Sequence, residues 1–307
     1  MWATPIWTPL ELNHLMRRIV WFLAHDEQTN TSMPLGSGFI VAVNQQMLVL
    51  SAAHNFVDWL ERVRPYNHPL RGVDYEADAA DFARRFRPLM LAGSVHAMVY
   101  CTETMEPHFC ALAHICLAHD PLRNDTALVQ MLIPDGVREQ DLGVMLIDDE
   151  PIDIGAPAFM AGYTGGRIIV RREDNAVMRA KARFDIRVGN RGPLVQAAEG
   201  YRGIAMWRLN FPSLGGMSGG PVMAVRPVRA PVAGPGPFRE SLPTAVGIVS
   251  RGRIGEPLLP DHCVDGETWA SPISYAFGQT MHTDDGPMTL AEAIQRQVVP
   301  RYSTLMI

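Results

Sequence analysis

Gly215-Gly216-Met217-Ser218-Gly219-Gly220-Pro221-Val222 decides the reading of this chain, because it sets one serine in a turn crowded with glycine. A nucleophilic serine needs a sharply bent backbone whose N–H groups converge on one point, where an oxyanion can be held. Glycines on both sides permit those dihedrals and let a substrate carbonyl approach closely. The N–H groups of Gly216 and Ser218 are the natural donors. A glycine-rich string can also be a plain turn or a phosphate-binding loop. The second is disfavoured, because no Lys-Ser/Thr pair follows and the segment from Val222 reads as a strand, not a helix.

A serine hydroxyl is almost wholly protonated at neutral pH and needs a neighbouring base. Upstream, Gly36-Ser37-Gly38-Phe39-Ile40-Val41 and Leu48-Val49-Leu50-Ser51-Ala52-Ala53-His54 read as a strand hairpin that delivers a histidine directly after two alanines. Small residues there let the imidazole lie against a sheet with its edge facing a cleft. Most histidines taken singly are ordinary core or loop residues, but this string after a Gly-Ser-Gly hairpin favours a functional one. Between the two lies Asn124-Asp125-Thr126-Ala127-Leu128-Val129. A carboxylate just before an apolar strand can reach the histidine's other nitrogen, fix its tautomer and stabilise the imidazolium. A turn aspartate that opens a strand is the plainer reading. Asp120 is the rival, but it precedes Pro121 in what reads as the turn itself, so Asp125 is preferred.

Ser-Ala-Ala-His, Asn-Asp-Thr-Ala-Leu and Gly-Met-Ser-Gly-Gly-Pro-Val, in that order, resemble the three signatures of trypsin/chymotrypsin-like serine proteases. The His…Asp…Ser order differs from that of subtilisins and α/β-hydrolases. Ala245-Val246-Gly247-Ile248-Val249-Ser250-Arg251-Gly252 is similar to the strand that lines the specificity pocket in that family. The resemblance spans roughly residues 18 to 299. It implies an all-β fold of two six-stranded antiparallel β-barrels with a cleft between them, His54 and Asp125 coming from the first and Ser218 from the second. It also implies Ser250 beside Asp125, with Arg251 and Gly252 against the substrate backbone.

Two positions depart from the family. Met217 stands where digestive relatives carry the aspartate that captures a freshly cut N-terminus, so activation by that route is not expected. In this the chain more closely resembles bacterial and intracellular trypsin-like peptidases. The pocket-base position falls at Pro212, followed by Ser213, and no carboxylate is there to favour Arg or Lys side chains. A small, apolar or acidic side chain before the scissile bond is the weak preference this leaves.

The rest of the chain is β-rich, with many short strands and intervening turn signals of the kind found in sandwiches and barrels. Strand-like runs cover 18–25, 39–43, 47–50, 95–101, 110–118 and 126–132. A second set covers 158–163, 167–171, 178–188, 205–209, 222–225, 245–250 and 269–273. The organisation expected is an N-terminal extension (1–17), a first barrel (18–135), a linker (136–153), a second barrel (154–285) and a C-terminal helix and tail (286–307). The first barrel carries a charged, helical insertion at about 58–87. Thr289 is a plausible N-cap for an amphipathic helix to Val299, and 226–243, rich in Pro and Gly, reads as an exposed loop.

Bulk properties exclude several partners. Net charge is −5 and the 27 basic residues are spread thinly, with no stripe for nucleic acid. The apolar stretch Ile19 to Ala24 is too short to span a bilayer, and Met1-Trp2-Ala3-Thr4-Pro5 does not open a secretory signal. A cytoplasmic location is expected, with the four cysteines as free thiols in a reduced compartment. His114 and His119 lie among Cys101, Cys110 and Cys116 at spacings that match no familiar metal motif. No metal and no cofactor are expected. The leading reading is a serine endopeptidase acting on polypeptides through an acyl-enzyme. The alternatives are a latent trypsin-fold effector or interaction module that needs an activating protein partner, and an esterase for small acyl groups.

Overall fold

The computed structural model describes residues 8–26, 31–43, 46–56, 95–101, 107–117, 125–138, 141–150, 152–170, 177–196, 205–226, 242–252, 266–278, 280–281, 288–289 and 291–292. The chain enters through helix α1 (Pro9–Met16) and then β1 (Ile19–Asp26), β2 (Thr31–Val43), β3 (Gln46–Ser51), β4 (Val95–Tyr100), β5 (Pro107–Leu117) and β6 (Ala127–Met131). These six strands close into a barrel in the order β1-β2-β3-β6-β5-β4, every pairing antiparallel.

A short strand β7 (Leu146–Ile147) precedes β8 (Pro157–Val170), β9 (Val177–Gln196), β10 (Ala205–Leu209), β11 (Pro221–Arg226), β12 (Leu242–Gly252) and β13 (Thr268–Pro272). The strands β11-β8-β9-β10-β13-β12 form a second ring, closed by the pairing of β11 with β12. β7 lies outside it, parallel to β12 through Thr244↔Leu146 and Ala245↔Ile147. Helix α2 (Ile273–Gly278) and a two-stranded ribbon, β14 (Thr280–Met281) with β15 (Met288–Thr289), follow.

β1 reads as a continuous apolar run because both of its faces are buried. Along β1, Val20, Phe22 and Ala24 point into the first barrel, while Ile19, Trp21 and Leu23 belong to a separate cluster. That cluster also holds Phe159, Tyr163, Met223 and Ile248 of the second barrel, so it is the apolar seam between the two. β8 alternates in the same way, with Ala158 and Met160 inside its own barrel and Phe159, Ala161 and Tyr163 in the seam. Tyr163 is fully buried there, stacked on Trp21 at 5.8 Å and edge-on to Phe184 at 5.2 Å. Burial, with a smaller contribution from nearby Tyr100, pushes its phenol well above the ordinary range. Each aromatic pair adds about 0.5–1.5 kcal/mol beyond the area it buries.

Several local features differ from the sequence reading, helix α2 and the β14–β15 ribbon among them. The N-terminal extension contains α1, which begins with a capping box: Thr8 Oγ1 accepts the Glu11 N–H at 3.2 Å and the Glu11 carboxylate accepts the Thr8 N–H at 2.7 Å. The Thr8 N–H, and then the Thr8 hydroxyl donating to the same carboxylate at 2.8 Å, hold the Glu11 carboxyl below its ordinary value. The runs 158–163 and 167–171 join into the single strand β8, because the bulge between Tyr163 and Gly165, where Gly165 has φ +137°, bends the strand without ending it. The stretch read as a linker contains β7. At the C-terminal end, Thr289 and Glu292 form a second capping box, with 291–292 helical. The insertion at 58–87 and residues 227–241 of the expected loop lie outside the described residues, while Arg226 pairs with Leu242. Among the described residues, no helix is long and apolar enough to cross a membrane.

Candidate active site

His54 begins a single helical turn, 54–56, directly after β3. β3 pairs with β6 through Ser51↔Ala127, so the end of one strand lies beside the start of the other and Asp125 is brought to His54. His54 Nδ1 is 2.8 Å from Asp125 Oδ2 and 3.0 Å from Oδ1, and the His54 backbone N–H donates to Oδ1 at 2.9 Å. Asp125 is 3% exposed, and a carboxylate that deep requires donors on its oxygens. Ser250 Oγ of β12 supplies a further one, to Oδ2. An imidazole held through Nδ1 by a carboxylate keeps Nε2 as its basic nitrogen. Asp120, the rival carboxylate, lies outside the described residues.

Ser218 sits in the turn that leads into β11, and that turn is seated against the first barrel. Its carbonyl accepts the Ser37 N–H at 2.7 Å and the Asn55 Nδ2 at 2.9 Å. The next residue, Gly219, donates its N–H to the Val249 carbonyl at 2.7 Å, next to Ser250. Gly219 has φ +82°, and a Cβ there would lie 2.1 Å from the Ser37 carbonyl oxygen. Gly216 has φ +92°, and its Cβ would meet the Tyr163 carbonyl oxygen at 2.4 Å. Only glycine fits either place. Met217 is fully buried in the second barrel's core, and its sulfur accepts the Leu214 N–H at 3.4 Å. An apolar side chain suits a position where the sequence departs from an aspartate. The N–H groups of Gly216 and Ser218 donate to none of the described residues.

The remaining expected residues fall as follows. Pro212 is exposed and Ser213 is buried on the strand-free segment before the turn. Arg251 and Gly252 pair with Trp269 and Thr268 of β13. Thr268 is fully buried and its hydroxyl donates to the Phe211 carbonyl at 2.8 Å. Sequence reasoning passed over Ser37, Ser51 and Asn55, all buried beside the turn. Ser37 was in view inside Gly-Ser-Gly, but that string was read only as part of a strand hairpin. His119 lies outside the described residues, and Cys101 and Cys110 are buried free thiols.

The fold is a pair of closed six-stranded antiparallel β-barrels, with β7 outside the second. No protein-family model matches the chain, and no curated protein matches it. Among solved structures, Rv3671c protease from M. tuberculosis in its active form is similar at 12% identity and a TM-score of 0.47, covering 91% of this chain and 92% of that one. An inactive form of Rv3671c from M. tuberculosis H37Rv, carrying a serine-to-alanine substitution, gives 13% identity and a TM-score of 0.46, covering 90% and 95%. A further inactive form gives 13% and 0.45, covering 90% and 96%.

Proposed function

We propose that this chain is a serine endopeptidase, with Ser218 as nucleophile, His54 as general base and then acid, and Asp125 as the group that orients the imidazole. The observation that carries this reading is the buried Asp125 held on His54 Nδ1, one residue away from Asn55, whose side chain holds the Ser218 carbonyl. His54 takes the proton from Ser218 Oγ as that oxygen attacks the substrate carbonyl carbon. The Gly216 and Ser218 N–H groups stabilise the oxyanion. His54 passes its proton to the leaving amine, and water then hydrolyses the acyl-enzyme by the same steps in reverse. The substrate is a polypeptide, and none of these steps calls on a metal or cofactor.

The test is a fluorophosphonate probe, which forms a bond from Ser Oγ to phosphorus and releases fluoride. Labelling is expected on the peptide that contains Ser218 and is expected to vanish in Ser218→Ala and His54→Ala. Turnover of a peptide substrate by Ser218→Ala should fall by about 10⁴–10⁶-fold. A folded wild-type chain that takes no label, or label that persists in Ser218→Ala, would sink the assignment.

A further inference from the structure

Ser37 and Asn55 belong to the first barrel, yet their polar atoms are spent on the Ser218 turn of the second. Ser37 Oγ accepts the Tyr163 N–H at 2.9 Å and donates to the Gly216 carbonyl at 2.7 Å, while its own N–H donates to the Ser218 carbonyl. Asn55 Nδ2 donates to that same carbonyl and to Ser51 Oγ at 3.1 Å, with a longer approach to the Ser37 carbonyl at 3.4 Å. Ser51 Oγ in turn donates to the Ser37 carbonyl at 2.7 Å. The Ser218 carbonyl thus has both of its lone pairs taken by the opposite barrel, and the carbonyl two residues earlier has one.

The amide of Asn55 is fixed in this orientation, because the reverse would aim its oxygen at the Ser218 and Ser37 carbonyl oxygens. Its Oδ1 is buried with no partner among the described residues. An orphaned buried acceptor is a cost to stability, so the value of Asn55 lies in what Nδ2 does. Glycines make the room. A Cβ on Gly36 would fall 2.3 Å from the Asn55 amide, one on Gly162 would fall 2.8 Å from Ser37 Oγ, and one on Gly219 would strike Ser37, Ser51 and Asn55 together.

We infer that Ser37 and Asn55 are positioning residues that clasp the Ser218 turn to the first barrel and set its register against His54. The inference rests on the proposed peptidase reading. Its physical core is the adjacency of His54 and Asn55 on one helical turn: whatever fixes Asn55 to the Ser218 carbonyl also fixes the imidazole relative to the serine. The Ser37 bond to the Gly216 carbonyl fixes the peptide plane that follows one of the proposed oxyanion donors. Both residues are buried, with their polar contacts made inside the protein.

The experiment measures labelling of Ser218 by the fluorophosphonate probe at several concentrations, separating the limiting rate from the affinity, together with the Tm of each variant. Misplacing the turn by a fraction of an ångström should lower the limiting rate about 10-fold to 100-fold in Asn55→Ala and in Ser37→Ala. The probe affinity should stay within about threefold, and Tm within about 8 °C, the shift that losing two hydrogen bonds brings in a chain of this size. If Asn55→Ala loses its fold, Asn55→Ser, which keeps a small polar side chain, takes its place. A limiting rate unchanged in both variants overturns the inference, as does a fall no larger than the fraction of protein lost to unfolding. Ser218→Ala is run alongside: label that persists there refutes the peptidase reading itself, whatever the clasp variants do.

Discussion

Ser250 Oγ, on β12 of the second barrel, donates a hydrogen bond to Oδ2 of Asp125, two residues before β6 of the first. The carboxylate that holds His54 is therefore itself held from across the seam. Both residues are buried, at 0% and 3% exposure, so water does not substitute for the hydroxyl. The orientation of the imidazole depends on how the barrels dock, as well as on the strand pairing that brings His54 and Asp125 together.

Ser250→Ala removes that donor and leaves the carboxylate with His54 alone among the partners named. A hydrogen bond to a charged group contributes about 1.5–3 kcal/mol, so the labelling rate of Ser218 should fall roughly 10-fold to 100-fold. A rate equal to wild type would show that the strand pairing orients the imidazole unaided.

Asp125→Asn keeps the shape of the side chain but offers an amide where His54 Nδ1 needs an acceptor. Peptide turnover should drop by about 10⁴-fold while the fold survives, since the wrong tautomer of the base is then favoured. Activity measured beside the circular dichroism spectrum decides this. A loss below tenfold would return the orienting role to another carboxylate, Asp120 first.

Glycine substitutions should separate by what lies around them. Gly155 has φ +83° with nothing within 4 Å of a built Cβ, so Gly155→Ala should cost only the left-handed strain, about 1–2 kcal/mol. Gly219 has nearly the same φ, but its Cβ would lie 2.1 Å from a backbone oxygen of the other barrel. Gly219→Ala should cost more than about 4 kcal/mol or prevent folding. Urea midpoints of the two variants test the contrast, and equal losses would mean that the turn can move away from the first barrel.

The thiols of Cys101 and Cys110 should be silent at neutral pH. Burial, then the neighbouring Cys101, pushes Cys110 up to about 12, and burial, then the charge of Asp141, raises Cys101. Neither should react with a disulfide reagent at pH 8 without unfolding. Because the folded-state value lies above the unfolded one, the folded chain holds the proton more tightly. Stability is then complete below the unfolded thiol value and declines as pH rises from about 9 towards 12. Tyr163, raised by burial, steepens the same alkaline limb. A Tm that holds constant from pH 8 to pH 11 would contradict this.

Much of the frame was legible along the chain. β-branched and aromatic runs gave both sets of strands, since a strand buried on two faces must be apolar nearly throughout. β7 escaped because two residues carry no periodicity, and it exists only where β12 offers an edge. Helix α1 left a signal in Thr8-Pro9-Leu10-Glu11, the pattern of a capping box, that the reading did not use. β8 looked like two strands because a glycine pair inside a run resembles a turn until the neighbouring strand is seen to continue past it.

The order of His54, Asp125 and Ser218, and the glycines that bend the backbone around the serine, were fixed by the sequence alone, because each lies in a short string whose local chemistry is specific. The resemblance already implied Ser250 beside Asp125, and only the tertiary structure decided that Ser37 and Asn55 serve the same place. Asn55 reaches Ser218 across 163 positions and Ser37 reaches Gly216 across 179. Hydrogen bonds at that separation leave no periodicity and no spacing rule. A serine or asparagine spent on a distant carbonyl is the same letter as one spent on water, and the difference is made when two apolar barrel faces close and exclude the solvent between them.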